Sequence, residues 1–178
     1  MYCYCIYCKT EKAPQLARAI EKSLGYRALI ARQFQHIRKE GAFLDIRRNI
    51  LPGYVFLYTP EPLTEHWRLW QLPGTIRLLM EEHGISGSEE TKPNCYELSG
   101  HDREFALLLH RQNGILGRLQ VTEEKESRRF RLQEELEAAG LRILKVDRRK
   151  QRMQISLPLT GQELMAWVEF EIINADED

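Results

Sequence analysis

Apolar positions along the first half of the chain fall into short, clearly bounded groups. Residues 2–8 are aromatic, β-branched and cysteine-rich with few helix formers, the texture of a buried strand. Thr10 is placed to cap a following helix, with Pro14 in the first turn, where a proline is tolerated. Leu16, Ala17, Ile20 and Leu24 then recur at helical spacing, and Gly25 supplies the stop. Residues 26–34 read as a second strand, and 36–48, polar and charged around Gly41, as a loop or loose hairpin. Ile50-Leu51-Pro52-Gly53 turns the chain into Tyr54-Val55-Phe56-Leu57-Tyr58, a central strand that Pro60 and Pro62 end. Residues 63–72 predict a short helix; Trp67 and Trp70, three apart, share one of its faces and read as core. Pro73-Gly74 leads into a strand over 75–80, residues 81–93 read as a loop, and 99–110 as a helix capped by Ser99 with Phe105, Leu108 and Leu109 on its apolar side.

Residues 112–127 are mostly polar and read as a linker. Beyond them the period changes from helical to two. Phe130 and Leu132 alternate with polar residues, Leu141, Ile143 and Val146 surround Lys145, and Met153, Ile155, Leu157 and Leu159 alternate without a break. Leu164, Ala166, Val168, Phe170 and Ile172 repeat the pattern. Alternation this dense predicts a small antiparallel barrel with a solvated outer face, turning at 147–150 and at Thr160-Gly161. The expected organisation is an α+β domain over 1–111, a linker over 112–127, an all-β barrel over 128–174 and an acidic tail over 175–178.

Composition narrows the function more by local charge than by totals. The chain has 178 residues, 43% hydrophobic and 29% charged, with a formal net charge of zero, so disorder as the dominant state is not expected. Within that neutral total, residues 142–152 hold six bases (Arg142, Lys145, Arg148, Arg149, Lys150, Arg152) against one acid, Asp147. Cationic side chains on a hairpin turn can reach phosphates, although a run of this kind is often only a solvated face. Arg38, Lys39, Arg47 and Arg48 form a second basic group before the central strand. No stretch approaches the roughly 18 apolar residues of a membrane span, and the N-terminus has neither a basic region nor a long apolar run, so a cytoplasmic protein with reduced cysteines is expected. Cys3, Cys5 and Cys8 with Cys95 or His101 could suggest a zinc site. On a strand, however, Cys3 and Cys5 point to one face and Cys8 to the other, and buried thiols behave as small hydrophobes, so no metal and no cofactor are expected. The five histidines lack ligand spacing, and no nucleophile motif or phosphate loop is present; an enzyme is not expected.

Four segments, in this order, resemble the NusG family of transcription factors, which includes the specialised RfaH and LoaP branches. They are Tyr4-Cys5-Ile6-Tyr7 followed by Lys9-Thr10 and a helix; Ile50-Leu51-Pro52-Gly53-Tyr54-Val55-Phe56; Leu72-Pro73-Gly74-Thr75-Ile76; and Gly140-Leu141 through Lys145-Val146-Asp147-Arg148-Arg149-Lys150-Gln151-Arg152 with Gly161 and a strand ending Glu171-Ile172-Ile173. The last is similar to the KOW module, a small five-stranded barrel, and its Asp147-Arg148-Arg149-Lys150 run is most like the LoaP branch. Each motif is weak alone; their shared order and spacing carry the resemblance. Two departures stand out. The KOW loop with its Gly-Pro is replaced by 133–139, strong helix formers that depart from the standard loop geometry and raise the idea of a partly helical module, against which the clean alternation of the rest weighs, and the opening strand lacks the family's tryptophan.

The resemblance implies a NusG-type N-terminal domain joined to a KOW-like barrel. It further implies a non-enzymatic elongation factor that grips the clamp helices of RNA polymerase. An apolar seat for a helical hairpin needs aromatic anchors, and Tyr7, Ile50, Leu51, Tyr54 and Phe56 are the candidates, with the bland reading that most of them fill the domain's own core. By the same resemblance, the LoaP-like cluster Arg142, Lys145, Arg148, Arg149, Lys150 and Arg152 would bind RNA, such as a hairpin in a leader transcript. The loop carrying Arg38, Lys39, Arg47 and Arg48 would lie near the polymerase gate and the non-template DNA strand, and the barrel would recruit the factor Rho or a small-subunit ribosomal protein. The rival class is a stand-alone RNA-binding or ribosome-associated KOW protein whose N-terminal half serves mainly for dimerisation.

Overall fold

Strand β1 (Tyr2–Cys8) sends alternate side chains into two different apolar layers, and that alternation organises the first half of the chain. The computed structural model describes residues 1–39, 42–80, 96–124 and 129–173. β1 lies inside a four-stranded antiparallel sheet with β2 (Arg27–Leu29), β5 (Tyr54–Thr59) and β6 (Thr75–Leu78), in the order β2-β5-β1-β6. The register pairs Tyr4 with Leu57 and Tyr7 with Tyr54. Helix α1 (Ala13–Leu24) covers one face: Leu16 and Ile20 pack with Tyr4, Ile6, Cys8, Val55 and Leu57. Helix α3 (Gly100–Arg111) covers the other, packing Phe105, Ala106 and Leu109 with Cys3, Cys5, Phe56 and Tyr58. With both faces covered, every residue of β5 is buried, so its sequence runs apolar without alternating. Pro14 sits in the first turn of α1, and Gly25 ends the helix at φ +72°, donating its N–H to the Glu21 carbonyl at 3.2 Å. Thr10 is not the cap; it opens a 3₁₀ turn over Thr10–Lys12, and no side chain caps α1.

The predicted strand over 26–34 divides at Ile30-Ala31. Its first part is β2; its second starts β3 (Arg32–Lys39), which pairs with β4 (Ala42–Asn49) from Arg32↔Asn49 to Lys39↔Ala42. The polar stretch over 36–48 is therefore the body of a regular hairpin. Paired strands satisfy their own backbone groups, so this hairpin does not require apolar residues on both faces. β7 (Ile115–Leu116) adds to β3 in parallel, giving the order β4-β3-β7. The predicted helix over 63–72 contracts to the single turn α2 (Trp67–Trp70). It is seated through Leu69, which leaves Trp67 and Trp70 on the open side at 54% and 57% exposure, against the core reading.

The second half is a nearly closed five-stranded sheet, with β8 (Leu119–Glu124), β9 (Arg129–Leu132), β10 (Arg142–Asp147), β11 (Arg152–Leu159) and β12 (Gln162–Ile173) in the order β10-β11-β12-β8-β9. The end strands β9 and β10 approach one another, so the sheet curls toward a barrel. Met153, Ile155, Leu157, Leu159, Val168 and Phe170 fill its interior, as their period of two requires. Between β9 and β10 the helix formers make α4 (Glu134–Ala138), seated by Leu136. The chain expected as a linker is built into this architecture: Leu116 lies on β7, Leu119 and Val121 on β8, and all three are buried. The acidic tail and residues 125–128 lie outside the described residues.

The two halves share one continuous core, which runs from Cys5 and Phe56 through α3 to Leu141, Ile155 and Phe170. Polar contacts reinforce it. The buried Gln33 amide donates to the carbonyls of Gly117 (2.8 Å) and Glu169 (3.1 Å), and its oxygen accepts from the Glu169 N–H at 2.6 Å. Buried Asp102 on α3 accepts from the Thr160 N–H at 2.5 Å, holding the left-handed Thr160-Gly161 turn of the barrel. His101 Nδ1 lies 2.8 Å from the Ala138 carbonyl, and Arg111 pairs with Glu135.

Candidate nucleic-acid interface

The basic turn is built by one carboxylate and one unusual backbone residue. Asp147 ends β10 and accepts the Lys150 N–H at 3.1 Å, which caps a 3₁₀ turn over Arg148–Lys150. Gln151 at φ +47° then reverses the chain into β11. This geometry divides the six cations of the cluster. Arg149 and Lys150 project from the turn and are exposed. Arg142 and Lys145 are exposed on β10, opposite Ser156 and Gln154, on the outer face of the sheet. Arg148 folds back: it pairs with Glu123 of β8, and its guanidinium lies 4.8 Å from the Phe130 ring centre. The Arg152 guanidinium lies over the Trp167 ring, 4.8 Å from its centre, with Nε 3.6 Å from an Asp147 carboxylate oxygen, too long for a hydrogen bond.

A cleft of about 280 Å³ opens between the β3–β4 hairpin and this face of the barrel. Gln35 and Arg48 line it from the hairpin, Lys150, Arg152, Trp167 and Glu169 from the barrel. The pairing explains the arrangement. Gln33 opposes Arg48 and Gln35 opposes Ile46, so these four share a face, whereas Phe34 and Arg47 share the reverse face, with the Arg47 guanidinium 5.5 Å from the Phe34 ring centre. Three cations thus meet one carboxylate, Glu169, which Arg118 already pairs at 3.3 Å. Such a surface attracts anions and offers a flat ring beside them. The side chains of Arg38 and Lys39 lie outside the described residues.

Trp167 was not among the sequence candidates. The signal for it is present, however. It occupies the phase of β12 opposite to the inward Ala166, Val168 and Phe170, and an aromatic on the outer phase of a barrel strand needs a reason. The cleft itself is not legible locally, because Arg48 and Trp167 are brought together only by the packing of the two halves.

The five candidates for a polymerase seat lie close together, but they do not form an open face. Tyr7 and Tyr54 rest ring to ring at 5.2 Å, with the Arg77 guanidinium 5.7 Å from the Tyr7 ring centre. Ile50, Leu51, Tyr54 and Phe56 are all buried, and Tyr7 is half-buried. Phe56 meets Phe105 of α3 edge to face at 5.6 Å and is a core residue of the first half. Ile50 borders the cleft toward the barrel. Burial raises the Tyr54 phenol above its ordinary value. Large apolar side chains are exposed elsewhere, among them Trp67, Trp70, Ile76 and Met80 near α2 and β6, Phe34 and Ile46 on the hairpin, and Leu144 and Met165 on the barrel.

Cys3 and Cys5 pack under α3 and Cys8 under α1, and burial pushes all three thiols up, which disfavours the reactive thiolate. Among the described residues no three His, Cys, Asp or Glu side chains converge on a metal-sized site; Cys95 lies outside them. Nor, among the described residues, is any helix long and apolar enough to cross a membrane. No family model matches the chain, and no curated protein matches it.

Proposed function

We propose that this protein is a cytoplasmic transcription elongation factor of the NusG type, a processive antiterminator of the LoaP branch that acts on specific operons. In this reading the N-terminal α+β half meets RNA polymerase. The KOW-like barrel reaches nucleic acid, a leader RNA or the non-template DNA strand, through Arg142, Lys145, Arg149, Lys150 and Arg152. The observation that carries the reading is the convergence at the cleft. Arg48, from the hairpin of the first half, meets Lys150, Arg152 and an indole from the barrel, with the one carboxylate there already paired. An ordinary solvated turn would draw no cations from a distant segment. The four segments of resemblance also take mutually consistent positions: a central aromatic strand, the Pro-Gly turn into its partner strand, the short turn before the edge strand, and the basic turn joining β10 to β11. The chain catalyses no reaction in this role; its effect on polymerase would be steric and allosteric, with Rho or a small-subunit ribosomal protein as further partners of the barrel.

The burial of Ile50, Leu51 and Tyr54 bears on how polymerase is met. Clamp helices reach these side chains only after the packing over them opens; for Ile50, which borders the cleft, that means the barrel moving away, while Phe56 stays under Phe105. That same burial favours a second reading, a stand-alone RNA-binding or ribosome-associated protein that uses the basic edge without polymerase. Transcription in vitro separates the two. With bacterial core polymerase on a template carrying a terminator, the full chain is expected to raise read-through in proportion to its concentration. Unchanged read-through and pausing, with RNA binding intact, would support the second reading.

A further inference from the structure

We infer that the cleft between the β3–β4 hairpin and the barrel holds one unpaired nucleotide, its base added to the Arg152–Trp167 stack and its phosphate held by Arg48 and Lys150. The inference rests on the nucleic-acid reading of the barrel's basic edge and deepens it, from a charged surface to a seat of defined chemistry. At about 280 Å³ the space is at the low end of small-molecule sites, sized for a single base with its phosphate and too small for a duplex. Its two walls supply the two things an unpaired nucleotide requires. The first is a flat π surface, provided by Trp167 with the guanidinium of Arg152 over it at 4.8 Å; aromatic rings and guanidinium planes are both platforms on which splayed-out bases stack. The second is cationic charge at the rim, from Arg48 and Lys150.

Two details point to a ligand more than to a finished salt bridge. Arg152 Nε is buried and has no hydrogen-bond partner among the described residues, since the Asp147 carboxylate stands 3.6 Å away. A buried guanidinium N–H without an acceptor costs free energy, which Arg152 would recover by turning toward an arriving phosphate or base oxygen. The two glutamines beside it differ in role. The Gln33 amide is committed to three bonds with the backbone of Gly117 and Glu169, and so fixes the hairpin against the barrel. Gln35, two residues on and on the same face, lines the cleft with an amide that can both donate and accept toward a base edge. An acidic peptide would satisfy the charge but would leave the indole plane unused.

The test is fluorescence anisotropy with labelled octamers, rU8 and dT8, and a blunt 12-base-pair duplex, on the full chain and on Trp167→Ala, Trp167→Tyr, Arg48→Ala and Arg149→Ala, each checked for folding by circular dichroism. Removing one stacked base is expected to weaken single-strand binding about 5- to 100-fold in Trp167→Ala, with Trp167→Tyr close to wild type. Arg48→Ala should lower the slope of log affinity against log salt by about 0.7, one phosphate of a single strand. If rU8 binds and dT8 does not, the seat is for RNA; equal binding makes it a seat for any single strand; either result supports the inference. Tighter binding of the duplex, or single-strand binding that Arg149→Ala weakens while Trp167→Ala and Arg48→Ala leave it unchanged, would overturn the cleft and spare the basic-edge reading. Binding of no nucleic acid by the wild-type chain would overturn both.

Discussion

Gly53 shows how closely a single position is determined. It lies at φ +86°, and a Cβ there would stand 2.8 Å from the Cys8 carbonyl oxygen and 3.3 Å from the Tyr7 ring. The Gly53 carbonyl in turn accepts the Cys8 N–H at 2.8 Å, so the turn is fastened to β1 by the same approach that a side chain would block. Gly53→Ala should cost about 2 kcal/mol or more from the left-handed backbone and the overlap together. In a chain of 178 residues that lowers Tm by roughly 4–8 °C, measured by calorimetry. His110 carries a pH dependence. Arg27 can only donate, so its 3.2 Å contact with His110 Nε2 requires that nitrogen unprotonated, and the ring rests 4.8 Å from Tyr58. Burial and then the Arg27 charge hold the imidazole below its ordinary value. The folded protein therefore takes up this proton less readily than the unfolded chain. The associated stability is complete above about pH 6.5 and is lost as the pH falls through that value and on through the folded one. His66, lowered by burial, acts in the same direction. Urea unfolding of His110→Gln between pH 7 and 5 should show a shallower acid slope than wild type, and an unchanged slope would contradict the assignment.

Elements were legible where burial is one-sided or complete over a short run. The alternation over 153–159 and 164–172 predicted β11 and β12, and the continuous apolar run over 54–58 predicted β5, because each pattern reflects which faces are covered. Elements that were legible only in part, or not at all, take their shape from partners distant in the chain. The polarity over 36–48 leaves a loop and a loose hairpin both open, and the structure makes it the hairpin of Arg32–Lys39 and Ala42–Asn49, while β7 and β8, expected as linker, are strands only because β3 and β12 pair with them. α2 shows the converse: two tryptophans invite a core reading, yet a single turn seated by Leu69 has no room to bury them. α3 meets β5 through the Phe105–Phe56 ring pair. Phe105→Ala removes the edge-to-face partner of Phe56 from a fully buried position and should destabilise by about 3–5 kcal/mol in denaturant titration. Of the candidate site, the basic turn was visible as charge. The withdrawal of Arg148 to Glu123 and Phe130 was not, because both partners lie on strands whose register no local pattern specifies.

For the molecule as a whole, the continuous core and the Gln33 and Asp102 contacts make the two halves one cooperative body. A single calorimetric transition is expected, and two separable transitions would contradict it. Gln33→Ala leaves the Gly117 carbonyl and both backbone groups of Glu169 without their partner and should cost about 2–4 kcal/mol. It also bears on function, since Ile50 borders the cleft that the barrel closes and can be met by another protein only when the barrel moves away. The measurement that tests the central claim most directly is retention of bacterial core RNA polymerase by the immobilised full chain, wild type beside Gln33→Ala. The account predicts that both retain polymerase and that the loosened variant retains more. Retention by neither, at concentrations where a NusG protein used as control binds, would contradict it.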